Sequence, residues 1–260
     1  MIGAAESEDI AVAWVESQSM SFSARHETRH ADVAADLLQR LEDFRGEMEG
    51  VFGSTPWDVA VVIHPSPLEL ALAHPWLPLA RMFAAPASRR YFAGWFARGE
   101  IHVLAPDALA ARASRVPGSR QALARSPHHE YAHLVLAEHN AALPPPFTVK
   151  TFRKYLELAW VCEGAATYLA GQTRHLRPAI ARRMREGKPP SFPPSAADAQ
   201  LLGGTVFSLL ARAAGRQACV DLAKVEHRWQ ARNAIELAFA RDIEEVEQDW
   251  RVYLDSFSAS

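Results

Sequence analysis

The sequence predicts an α+β fold with a mixed-sheet N-terminal lobe, residues 1–125, and an all-helical C-terminal lobe, residues 126–260. Three observations predict it. Alternating or β-branched apolar runs occur only before Pro106. After Pro106 the apolar spacing is helical, interrupted by two proline-rich loops, Pro144-Pro145-Pro146 and Pro189 to Pro194. With 260 residues, 49% of them hydrophobic and 22% charged, the chain is long and apolar enough to bury a substantial core.

Each element has its own signal. Ser19 to Arg25 alternates polar and apolar residues and reads as a short strand. Thr28 to Met48 sets Val33, Leu37, Leu38, Leu41, Phe44 and Met48 at helical spacing, and Gly50 and Gly53 close that helix. Trp57 to His64 is a β-branched run of the buried-strand type. Pro65 and Pro67 open a helix to about Arg81. Tyr91 to Trp95 and Glu100 to Leu104 read as two strands joined by a turn at Arg98-Gly99. Beyond them, helices are expected over Phe152 to Ala170, over Val206 to Ala214 with Gly215 as its stop, and over Glu245 to Leu254. Asp242 reads as the N-cap of the last of these, with Glu245 completing a capping box.

The charge balance narrows the class of partner. Lys and Arg total 28 against 30 Asp and Glu, a formal net charge of −2, so the basic footprint of a nucleic-acid binder is missing. No apolar run approaches the ~18 residues of a membrane span. Met1 to Asp9 carries Glu6, Glu8 and Asp9 in place of the basic and apolar parts of a signal peptide, so a soluble, cytoplasmic chain is expected. The two cysteines, Cys162 and Cys219, supply no disulfide framework.

One segment carries chemistry: Ser126-Pro-His-His-Glu-Tyr-Ala-His133. His129-Glu130-x-x-His133 is the HExxH pattern of zinc hydrolases. On a helix, residues four apart lie about 40° from each other around the axis, so both imidazoles converge on one point. Glu130, about 100° from His129, flanks that point without ligating and is placed to take a proton from water. Ser126 followed by Pro127 reads as the helix start. A chain of this composition matches the pattern by chance only about 0.03 times.

A catalytic zinc takes a third protein ligand and keeps one position open. His139 gives the spacing HExxHxxxxxH, but the glycine that turns the chain in metzincins is replaced by Leu136, and an uninterrupted helix carries His139 away from the metal face. The other candidate is Glu163 in Trp160-Val-Cys-Glu-Gly-Ala-Ala-Thr-Tyr168. Its small neighbours allow two helices to approach closely, and its apolar surroundings make an unpartnered carboxylate expensive.

With HExxH followed by EGxAxY on a second helix, the chain resembles the gluzincin metallopeptidases, in particular the peptidase MA-like group. The resemblance implies a zincin-like fold with the active-site cleft between the lobes, Zn2+ held by His129, His133 and Glu163, and Glu130 as the base. It also implies that Glu100 to Leu104 is the sheet edge along which an extended peptide substrate lies. Two departures stand out. Thr167 replaces the aspartate that orients a ligand histidine in thermolysin-like members, and Gly99-Glu-Ile-His-Val103 does not match the aminopeptidase GxMEN signature. The transition-state electrophile is left among Tyr155, Tyr168, His175 and His227. The expected function is peptide hydrolysis. The rival readings are a catalytically silent zincin-like domain that binds a peptide or protein, and a zinc hydrolase of non-peptide amides.

Overall fold

In the computed structural model, residues 13–186, 188–224 and 231–257 are described, and within them the chain is α+β. Strands β1 (Trp14–Gln18) and β2 (Phe22–Glu27) form an antiparallel hairpin, closed by a bond from the Ser19 N–H to the Phe22 carbonyl. The sequence gives no signal for β1. It has no buried face, so its pairing rests on backbone bonds and no hydropathy alternation marks it.

Helix α1 (Ala31–Phe52) follows, burying Leu37, Leu38, Leu41, Phe44 and Met48. It runs through Gly50 and stops only at Gly53, whose φ of 88° is open to glycine without strain. Strand β3 (Val59–His64) lies parallel to β2. The helix expected from Pro65 to Arg81 is two helices, α2 (Pro67–Ala73) and α3 (Trp76–Phe83). Pro75 accounts for the break: it has no N–H to donate and pushes the preceding His74 into extended backbone.

A short helix, α4 (Pro86–Arg89), leads to β4 (Gly94–Ala97) and β5 (Glu100–Leu104), which pair antiparallel. The sheet order is β1-β2-β3-β5-β4. This corrects the expectation that Glu100 to Leu104 is the edge. β5 is parallel to β3 on one side and antiparallel to β4 on the other, so the terminal strand on this side is β4. Ile101, His102, Val103 and Leu104 are all buried, as an interior strand covered on both faces requires.

The regular elements in the rest of the described chain are all helices: α5 (Pro106–Arg112), α6 (Ser119–Ala124), α7 (Ser126–His139), α8 (Val149–Glu157), α9 (Ala159–Leu169), α10 (Thr173–Arg185), α11 (Ala199–Lys224), α12 (Ala231–Phe239) and α13 (Ile243–Asp255). The single helix expected from Phe152 to Ala170 is interrupted at Leu158. The helix expected to end at Gly215 instead starts at Ala199 and kinks there, where φ is 86° and ψ 172°. Asp242 makes no side-chain cap bond, and Glu245 instead accepts from Arg241 at 3.0 Å.

Two contacts set the helical layer. Gly164 of α9 and Gly203 of α11 bring backbone against backbone; a Cβ added to Gly164 would lie 2.7 Å from the Gly203 carbonyl carbon. The fully buried Trp250 of α13 donates its indole N–H to Thr205 Oγ1 at 2.7 Å, tying the last helix to the start of α11. Among the described residues no helix is long and apolar enough to cross a membrane.

Candidate metal centre

Helix α7 enters with Pro127 in its first turn and meets neither glycine nor proline before Asn140. Arg125, not Ser126, occupies its N-cap position, and the buried Ser126 hydroxyl has no hydrogen-bond partner among the described residues. The unbroken turns stack His129 and His133 on one face, ring centroids 4.6 Å apart and nearly perpendicular. Helix α9 presents Glu163 to them: Glu163 Oε2 is 3.2 Å from His129 Nε2, and Glu163 Oε1 is 3.6 Å from His133 Nε2. The two Nε2 atoms are 3.0 Å apart. A donor atom from each residue thus lies within 4.8 Å of the other two, and all three side chains are buried. Two imidazoles and a carboxylate, facing one another, are a donor set that fits a divalent metal ion.

His139 is not part of this group. It sits at the far end of α7, where Nε2–H donates to the Ser54 carbonyl at 2.9 Å and the ring lies 5.2 Å from Phe52. His128 also faces away, edge-on to Phe44 at 4.9 Å, and burial together with Arg125 lowers it to about 4.

Glu130 lies on the flank of the donor set, 5% exposed. It fills space left by Gly94 at the start of β4, where an added Cβ would come within 2.5 Å of Glu130 Oε1. Burial, with the Glu163 carboxylate as the second cause, pushes Glu130 well above the usual carboxylate range. Burial acts on Glu163 in the same direction, but His133 and His129 outweigh it and hold that carboxyl below its ordinary value. The two glutamates therefore differ in protonation preference because only one faces the imidazoles.

Several contributors were not singled out from sequence. Phe96 of β4 stacks on His133, centroids 4.0 Å apart and 18° from parallel, fixing the ring plane. Cys162 Sγ lies 3.4 Å from His133 Nδ1, the ring nitrogen turned away from Glu163. The isolated Gly94 in an apolar strand was the one available signal, since such glycines mark close approach.

The four candidate electrophiles separate. Tyr155, near the end of α8, donates its hydroxyl to Glu163 Oε1 at 2.5 Å and belongs to the centre. Tyr168 is on the far side of α9, stacked near Phe207, and His175 accepts from Arg174 at the surface. His227 lies outside the described residues. Thr167 does not orient a histidine: its hydroxyl, like His129 Nδ1, has no hydrogen-bond partner among the described residues.

The donors, Glu130, Gly94 and Gln200 enclose a cavity of about 10 Å³, room for about one water. A wider cleft of about 630 Å³, lined by Arg40, Arg125, His128 and Arg174, takes no lining from the three donors. No family model, curated protein or solved structure matches the chain.

Proposed function

We propose that the chain is a zinc-dependent metallopeptidase of gluzincin type. The observation that carries this reading is the convergence of His129, His133 and Glu163 with Glu130 beside them and outside the donor set. Zinc held by those three residues supplies a Lewis acid that acidifies water and polarises a carbonyl. Glu130 takes the proton from the attacking water and delivers it to the leaving amine. Phe96 holds the His133 ring plane, and the Tyr155 hydroxyl fixes one oxygen of Glu163, so two of the three donors are oriented from outside.

The substrate lies along β4, the terminal strand of the sheet on this side, and adds itself as a further strand through backbone bonds. Gly94 sets the closest approach of that strand to Glu130. A peptide bond is favoured over other amides because an extended chain alone can use a strand edge along its length.

Glu130→Gln tests the reading. The variant should keep its zinc while cleavage of an unbiased peptide library falls by at least ~10²-fold. Unchanged cleavage removes Glu130 from the reaction; loss of zinc makes it a ligand.

A further inference from the structure

A second cluster of histidines sits on the opposite face of the sheet. The strand register defines the two faces. Ile101 pairs with Phe96 and Val103 with Gly94, and Phe96 and Gly94 face α7 at the centre already described. Glu100 and His102 alternate with those residues along β5, so they face the other way, as does Trp95, paired with His102. His102 is buried, and its Nε2–H donates to Glu100 Oε1 in a very short contact. On its other side His102 Nδ1 is 2.9 Å from Nε2 of the buried His64, at the end of β3.

His74, at the end of α2, completes the cluster. Its ring centroid is 3.7 Å from that of His102. One ring nitrogen of His74, one of His102 and a carboxylate oxygen of Glu100 lie within 4.8 Å of one another. The chain from His64 through His102 to Glu100 is satisfied by its own hydrogen bonds. His74 is not: its Nε2 is buried and has no hydrogen-bond partner among the described residues. A hydrogen-bonded core network therefore explains three of the four residues and leaves the fourth with an unused buried lone pair or N–H.

We propose that His74, Glu100 and His102 form a second metal site, for a divalent transition-metal cation, with His64 holding the His102 ring in orientation. Two imidazoles and a carboxylate suit a borderline cation of the zinc class. Ligating histidines characteristically use their second ring nitrogen in an orienting hydrogen bond, and His64 offers that partner to His102 Nδ1. Glu100 is about one-third exposed, so the site opens to solvent on the Glu100 side. A cation there ties the α2–α3 corner, through His74, to the interior strand β5.

The experiment is a metal count on the full chain, stripped with chelator and equilibrated with Zn2+ buffered at about 10 μM free, where a site of micromolar affinity is about nine-tenths filled. The wild type should hold two zinc ions, His74→Ala one, His133→Ala one, and the double variant none. Glu100→Gln, which preserves side-chain size, should also hold one; it decides the matter if His74→Ala fails to fold. A wild type with a single zinc that His74→Ala and Glu100→Gln both retain overturns this site and leaves the α7–α9 centre standing. A single zinc lost in His74→Ala but kept in His133→Ala upholds this site and overturns the other. Two zinc ions that survive both His74→Ala and Glu100→Gln place the second ion elsewhere and overturn the proposal.

Discussion

Replacing Gly164 by alanine tests whether the close crossing of α9 and α11 is what delivers Glu163 to the imidazoles. The added Cβ would stand 2.7 Å from the Gly203 carbonyl carbon and 2.8 Å from its oxygen, against an ordinary contact of 3.4 Å or more. The obstructing atoms are helix backbone, which cannot swing aside as a side-chain end can, so the axes must separate by about 0.7 Å. Overpacking of this kind costs about 1–3 kcal/mol. In a chain of this size that lowers Tm by roughly 2–10 °C. Glu163 is the adjacent residue and moves with the helix, and metal–donor distances tolerate only about ±0.2 Å, so zinc affinity should fall at least ~10-fold. Thermal melts in excess chelator give the stability change, and competition against a chromogenic chelator gives the affinity. Gly46 is the control. It is an exposed interior position of α1 with nothing within 4 Å of an added methyl, so Gly46→Ala should stabilise by about 0.5–1 kcal/mol and leave zinc binding alone. If Gly164→Ala matches Gly46→Ala in both measurements, the crossing does not govern the site.

Three further outcomes are expected. Glu163→Ala should weaken zinc binding by more than ~10²-fold, beyond the usual effect of losing an outer orienting partner, whereas His139→Ala should not change it; the same chelator titration on both variants would reverse the assignment if His139 were the ligand. Gly94→Ala forces Glu130 out of its position but touches no donor, so peptide cleavage should drop while zinc stoichiometry stays constant, and parallel losses of both would contradict the separation of base from ligands. The Glu42 carboxylate accepts from the Ser19 hydroxyl at 2.7 Å and from the Ser21 N–H at 2.6 Å. Burial alone would raise its pKa, but these bonds and Arg45 bring it below the usual value. A depressed folded-state pKa contributes stability that is present above the unfolded value of 4.5 and is lost as pH falls through the folded one. Glu42→Gln should therefore be less stable than wild type at neutral pH, with the gap closing below pH 4.5; melts showing a pH-independent gap would exclude this origin.

What the sequence made legible followed from local rules. HExxH needs only one helix, so His129, Glu130 and His133 could be placed relative to each other before anything was known of their surroundings. Glu163 was reachable because a carboxylate among Cys162, Gly164 and Ala165 is costly unless something balances it. The positions that escaped are those fixed by pairing between distant segments. The turn at Arg98-Gly99 announces β4 beside Glu100 to Leu104, but nothing in that strand announces the parallel pairing with the distant β3, which makes it an interior strand and leaves β4 at the end of the sheet. Tyr155 reaches Glu163 across the break at Leu158, where no glycine or proline announces that one helix has become two. His74, Glu100 and His102 form no motif, because a helix end and a strand meet there only through the order of the sheet.

The centre draws on segments far apart in the chain: His129 and Glu163 are 34 residues apart, and Gly164, beside Glu163, lies against Gly203. A cation that binds such an arrangement binds the assembled chain and not its unfolded ensemble, so occupancy and folding are linked equilibria. Saturation at 100 times Kd shifts unfolding by about 2.7 kcal/mol, comparable to the whole effect of a single core substitution. Metal supply would then set how much of this protein persists in its folded form, and a shortage would be felt first as a loss of folded molecules.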